Sequence, residues 1–110
     1  MGFDAELAQI VGDSLKRRRG ITTKRMFGGL CFLHNGNMLC GVDNRSRLMV
    51  RVGPDQYERA LKMKHARRMD FTGKPLRGMI YVAPEGVKTK QGITKWVEMG
   101  LSFTKTLPRK

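Results

Sequence analysis

Aromatic residues are scarce in this chain: one Trp, two Tyr and five Phe make up 7% of it. Most sit where a core would claim them, leaving too few for the stacking platforms of single-strand nucleic-acid binders. Histidine is limited to His34 and His65, and cysteine to Cys31 and Cys40. A metal site needs such residues clustered at ligand spacing, and the two cysteines are far from a C-x-x-C pattern. Cys31 and His34 are close in sequence but alternate onto opposite faces of a strand, with no third group to orient them, so no Cys-His nucleophile is read. Gly73-Lys74 lacks the upstream glycine and following Ser/Thr of a P-loop, and Gly28-Gly29 is no dinucleotide fingerprint. No apolar run approaches a membrane span, and the N-terminus lacks a basic segment followed by an apolar core. These absences predict a non-enzyme with no metal, cofactor, small-molecule substrate or membrane contact. They also place it in a reducing cytoplasm that keeps both thiols reduced.

What is abundant is positive charge. Lys and Arg total 22 against nine acids, giving a net charge of +13. That balance favours acidic partners, nucleic acid first. The basic residues are spread over nearly every segment, however, and no helix-turn-helix or zinc-finger pattern is visible. At 110 residues with 40% hydrophobic content, the chain is expected to form a single domain over 1–110.

The organising stretch is 26–52, read as antiparallel strands around two tight turns. Asn35-Gly36 between apolar runs signals a two-residue hairpin, because both central positions need positive φ. That register opposes His34 to Asn37, Phe32 to Leu39 and Cys31 to Cys40. Around 43–46 a second turn aligns Val42 with Arg47, Cys40 with Met49 and Leu39 with Val50. Alternation then puts Leu30, Phe32, Leu39, Leu48, Val50 and Val52 on a core face. Cys31, Leu33, Met38, Cys40 and Met49 share the other face with Arg47 and Arg51. Two readings fit that second face: an outer surface partly covered by Arg stems, or an interface with a protein partner or a second copy. The opposed cysteines would bring their Cα atoms to about 4.5 Å, where a disulfide is strained; packing as small hydrophobes or acting as a redox pair both fit.

Around this sheet, 4–19 reads as a helix capped by Asp4, stapled by Phe3, apolar at Leu7, Ile10, Val11 and Leu15, and stopped by Gly20. Lys16, Arg17, Arg18 and Arg19 fall in its last turn, where they either offset the helix dipole or bind phosphate. Residues 21–27 form a first strand, and Gly28-Gly29 a bend. Pro54 opens a second helix that turns Tyr57, Leu61 and Ala60 to the sheet and fades near 64–66. Segments 67–71 and 78–82 make a second hairpin around 72–75, ended by 84–86. A last helix over 89–106 carries Ile93, Trp96, Val97, Gly100, Phe103 and Leu107 on one stripe, with Trp96 buried against the core face.

Several blocks resemble one family. Arg25-Met26-Phe27-Gly28-Gly29-Leu30 is similar to the opening signature of the TfoX N-terminal domain family. Arg51-Val52-Gly53-Pro54 with Tyr57, the 70–78 block with Tyr81-Val82, and Trp96-Val97 with Leu107-Pro108 fit the same family. The resemblance implies an α+β, two-layer domain with an antiparallel sheet, ordered α-β(3-4)-α-β(2)-α and similar in outline to secretion chaperones. The family's namesake is a regulator of natural competence with a second, C-terminal domain, so this chain is expected to be the stand-alone form. The resemblance supplies no catalytic residues.

Two functions follow as expectations. One is a small non-catalytic regulatory module acting through macromolecular contacts, with nucleic acid held by Lys16, Arg17, Arg18, Arg19, Lys24 and Arg25. The other is a protein-interaction or chaperone-like homodimer whose charge is incidental. In that case the interface is the face of Cys31, Leu33, Met38, Cys40, Met49, Arg47 and Arg51.

Overall fold

The computed structural model describes residues 4–26, 28–71 and 74–109. The Phe3 staple, the end of the first strand at Phe27 and the Thr72-Gly73 turn lie outside them. Helix α1 (Ala5–Leu15) starts at Asp4, whose Oδ1 accepts from the Leu7 N–H at 3.0 Å, filling one of the donors a helix start leaves open. Four strands follow: β1 (Ile21–Met26), β2 (Gly29–His34), β3 (Asn37–Asp43) and β4 (Leu48–Arg51). Helix α2 (Pro54–Leu61) has Pro at its first position, where the missing N–H costs nothing. Strands β5 (Ala66–Phe71) and β6 (Lys74–Val82) lead through a 3-10 turn (Pro84–Val87) to α3 (Lys90–Thr104), capped by Thr89 Oγ1 on the Gly92 N–H. The six strands form one antiparallel sheet, in the order β1-β2-β3-β4-β6-β5. This is the α+β domain expected, with helices and strands in the order α-β-α-β-α.

The helices pack over β3 to β6 and enclose the main core. Val11, Leu15, Leu39, Val50, Ile93 and Trp96 are almost completely buried in it. Trp96 is 1% exposed, as its helical stripe predicted. Tyr57 and Ala60 are buried and Leu61 packs at the edge of the core, so α2 presents the expected face. Phe103 and Leu107 lie at the margin instead, and Leu101 and Thr104 take buried places on α3.

Two registers differ from expectation by one residue. The hairpin at Asn35-Gly36 forms as read, with His34 opposite Asn37 and Leu33 opposite Met38. A bulge then leaves Leu39 as the extra residue of β3, so Phe32 opposes Cys40 and Cys31 opposes Gly41. A bulge reverses the alternation beyond it. Leu39 and Cys40 therefore both enter the main core, and Cys31 stays on the other side. The expected Cys31–Cys40 pair does not form, and both residues are free thiols. The β3–β4 connection is a three-residue loop with Ser46 at φ 61°, closed by the Asp43 N–H donating to the Arg47 carbonyl at 3.1 Å. It sets Cys40 opposite Val50 and Val42 opposite Leu48, not Arg47. Asp43 enforces it: Oδ1 accepts from the Arg45 and Arg47 N–H groups, both at 2.9 Å. The two one-residue shifts cancel, which is why Leu48, Val50 and Val52 still face the core and Met49 does not.

Candidate functional site

The basic stretch that follows α1 is the first candidate. The helix ends at Leu15, its last buried side chain, and its final turn holds no basic residue. Lys16, Arg17, Arg18 and Arg19 form the turn beyond, which closes at Gly20 with φ 79°. This corrects their expected place inside the helix: none of the four is buried, so no packing extends the helix through them. All four are exposed. Arg18 reaches α3 and donates to Glu98 at 2.7 Å, with both side chains about half exposed. A surface pair of that kind contributes about 1 kcal/mol at most.

Lys24 and Arg25 are exposed at the far end of β1. Six strand residues span about 17 Å, so β1 joins two basic clusters through Thr22 and Thr23 rather than gathering them into one patch. At the Arg25 end, an open groove is lined by Arg25, Met26, Gly28, Gly29 and Asn44. Arg45 follows Asn44 and is also exposed. Sequence reasoning missed this addition, because the β1–β2 and β3–β4 turns meet only once the strands are paired.

The other sheet face carries a second apolar cluster built entirely from strand residues. Cys31, Met38, Met49, Met69, Met79 and Tyr81 are buried in it, with Met26 and Leu33 packed alongside. Met69, Met79 and Tyr81 escaped the sequence reading because β5 and β6 had no assigned neighbours, and Met26 because β1 had no assigned register. Gly41 makes room at its centre: a Cβ there would lie 2.9 Å from both Cys31 Sγ and Met49 Cε. Of the seven residues expected on this face, Cys31, Leu33, Met38 and Met49 belong to the cluster. Cys40 lies in the main core. Arg47 stacks over the Tyr81 ring at 3.7 Å and donates Nε to Asp43 Oδ2 at 2.8 Å. Arg51, at the end of β4, has its guanidinium 5.3 Å from the Phe103 ring of α3.

Chemically, both thiols are quiet. The Cys31 thiol donates to the Met26 carbonyl at 3.6 Å, and burial pushes its pKa up to about 11. Burial, reinforced by the nearby Cys31, raises Cys40 further. A thiol is a weak nucleophile until it ionises. His34 shares a hydrogen bond with Thr104 Oγ1 of α3 at 3.1 Å, on the face away from Cys31. Among the described residues, no group of three or more His, Cys, Asp or Glu is placed to hold a metal ion. No described helix is long and apolar enough to cross a membrane. A cleft of about 290 Å³ between α1, the β3–β4 loop and the 3-10 turn is lined by Asp4, Leu7, Ile10, Ser46 and Val87, among others. The Asp4 carboxylate in it is already engaged. The Leu7 N–H, then the Ser46 hydroxyl at 2.7 Å, hold Asp4 below the usual carboxylate range.

Comparison with known proteins adds one result. Neither the curated proteins nor the solved structures yield a match. The family comparison matches the TfoX N-terminal domain over residues 13–104, a span that runs from the end of α1 to the end of α3 and includes the Gly28-Gly29 turn, the Gly53-Pro54 helix start and Trp96. The chain belongs to the TfoX N-terminal domain family.

Proposed function

We propose that this domain is a non-catalytic regulatory module that works through macromolecular contacts, with a polyanion, nucleic acid first, held along its basic flank. One observation carries the reading: Lys16, Arg17, Arg18, Arg19, Lys24 and Arg25 are all exposed, in two clusters joined end to end by the edge strand β1. Both thiols are buried, and Asp4 and Asp43 are engaged in the fold, which supports a reading without covalent chemistry. Membership of a family whose namesake regulates competence supports a regulatory role. Among its described residues the flank has spaced cations and no stacking aromatic, so its contacts are with phosphates, and binding is weak and independent of sequence.

The test is fluorescence anisotropy with a short DNA duplex over a series of salt concentrations. Contact with about four phosphates gives a log K against log [salt] slope near −3.6. Changing Arg17, Arg18 and Arg19 together to Ala removes up to three contacts and flattens the slope accordingly, while the fold loses only the Arg18–Glu98 surface pair. Absence of binding at low salt, or an affinity that ignores salt, refutes the proposal.

A further inference from the structure

The two edges of the sheet are built differently. β5 carries a bulge between Arg68 and Asp70, two exposed arginines, and α2 packed against it. Bulges, charge and covering elements are the ordinary means of stopping an edge from pairing with another chain. β1 carries charge too, at Lys24 and Arg25, but it has no bulge and no extensive helix cover. Its six residues pair one-to-one with β2 without interruption, from Ile21 opposite His34 to Met26 opposite Gly29. It contains no proline, and Thr22, Thr23, Lys24 and Arg25 are all exposed, on both faces of the ribbon. Among the described residues, the main helix contacts are with β3 to β6.

The direction of the free backbone groups follows from one hydrogen bond. The Asn35 N–H donates to the Gly20 carbonyl at 2.9 Å. In the observed register this makes 20–35 a hydrogen-bonded pair, and pair type alternates along an antiparallel ladder. Thr22 and Lys24 therefore exchange their bonds with β2. Ile21 and Thr23 turn their N–H and C=O groups away from the sheet, forming a ready edge for one more strand.

We propose that β1 takes up an extended acidic segment of a partner protein as a seventh strand, the backbone bonded at Ile21 and Thr23 and the side chains matched to the cations around it. Charge decides the occupant. Lys24 rises on one face of the ribbon and Arg25 on the other, and Arg17 and Arg19 stand just before its start. A strand with carboxylates on alternate residues meets positive charge on whichever face it presents them. A second copy fits poorly. A two-fold pairing about Thr23 sets Ile21 against Arg25 and Thr22 against Lys24. It also brings the basic turn of each copy toward the Arg25 end of the other, between bodies that each carry +13. Like charges brought together in this way are destabilising. This inference rests on the β1 edge and its main-chain groups, and does not require the flank to bind nucleic acid.

The discriminating variant is Thr23→Pro. The Thr23 N–H points away from β2, so proline there removes no bond of the sheet and is the kind an edge strand tolerates. It leaves every charge in place. The probe is a capped seven-residue peptide alternating threonine and glutamate, titrated into the full chain by NMR. On binding, the Ile21 and Thr23 amides are expected to become at least tenfold slower in hydrogen exchange. The Thr23→Pro variant is expected to bind the peptide at least tenfold more weakly while binding DNA duplex as the wild type does. Should Thr23→Pro fail to fold, N-methylated peptides decide the matter. Methylation in one alternating frame abolishes binding and in the other leaves it intact, whereas equal effects from both frames refute strand addition. No peptide binding at 1 mM, or binding unaffected by Thr23→Pro, also overturns the proposal. Equal uptake of the lysine-for-glutamate peptide removes the acidic preference. Peptide binding without duplex binding upholds the strand edge and refutes the nucleic-acid reading alone.

Discussion

Gly53→Ala is expected to be among the most damaging small substitutions in the domain. Gly53 caps the start of α2 at φ 84°, ψ 163°, a backbone region that is essentially glycine's own and costs any other residue about 1–3 kcal/mol. Its surroundings are closed as well. Its N–H and that of Val52 both donate to the Gly78 carbonyl, at 3.0 and 2.8 Å, which holds the backbone in place. An added Cβ would run into the Phe103 ring, 2.6 Å from Cγ and 2.7 Å from Cε1, and closer still to Cδ1. Forcing that ring aside costs about 1–3 kcal/mol more. Together these amount to about 4 kcal/mol, a large share of the ~5–15 kcal/mol that holds a domain folded. At about 2.1 cal/mol/K of unfolding entropy per residue, that corresponds to a fall in Tm of roughly 17 °C for a chain of this length. Calorimetry and urea melts read the loss directly. Two further variants separate its parts. Gly28→Ala sits at φ 72° with open space around it and is expected to lose only the left-handed cost of about 1–2 kcal/mol. Combining Gly53→Ala with Phe103→Ala removes the collision and keeps the strain, so the pair is expected to be non-additive by about 1–3 kcal/mol. A Gly53→Ala protein within about 1 kcal/mol of the wild type would refute the reasoning.

Trp96→Ala removes a side chain that is 1% exposed and is expected to cost about 3–5 kcal/mol. The native indole should emit at short wavelength and shift red on unfolding, whereas solvent-like native emission would contradict its burial. The thiols should stay silent toward a disulfide reagent at pH 8 until the protein unfolds. Their linkage to stability has a definite sign: the folded state holds the Cys31 proton up to about 11, against an ordinary thiol near 9. That contribution is fully present below pH 9 and lost as pH rises toward 11, at about 1.4 kcal/mol per pH unit. Comparing wild type with Cys31→Ala across that window isolates it, and parallel stability curves would show that the thiol is not responsible.

Much of this fold was legible from local signals with direct physical causes. Asn35-Gly36 dictated a hairpin, Pro54 a helix start, Asp4 a cap, and the stripe through Ile93, Trp96 and Val97 a buried helix face. The registers were harder to read because each depended on one residue that carries no mark. Leu39 is an ordinary strand residue that happens to be the bulge, and Ser46 takes a positive φ with no glycine to announce it. The misplaced Cys40 follows from the first of these. The exposure of β1 was not readable at all, since a strand's rank in a sheet is settled by which other strands pair, here with β5 and β6 ending up at the far side. Its basic residues were picked out by composition, but the joining of the two clusters appears only when the turn after α1 and the edge strand are seen end to end.

The sulfur-rich layer on the second sheet face gives this protein built-in spectroscopic reporters. Met26, Met38, Met49, Met69 and Met79 come from β1, β3, β4, β5 and β6, one from every strand but β2. Methionine is unbranched and its terminal methyl remains mobile in a packed interior, which gives sharp signals after carbon-13 labelling without any substitution. Met63 and Met99 pack against the main core and serve as internal references on the opposite side of the sheet. A disturbance entering at one edge can therefore be followed strand by strand. An event at β1 should move the Met26 resonance first and fade toward Met69, and an opening at the β5 edge should reverse that order.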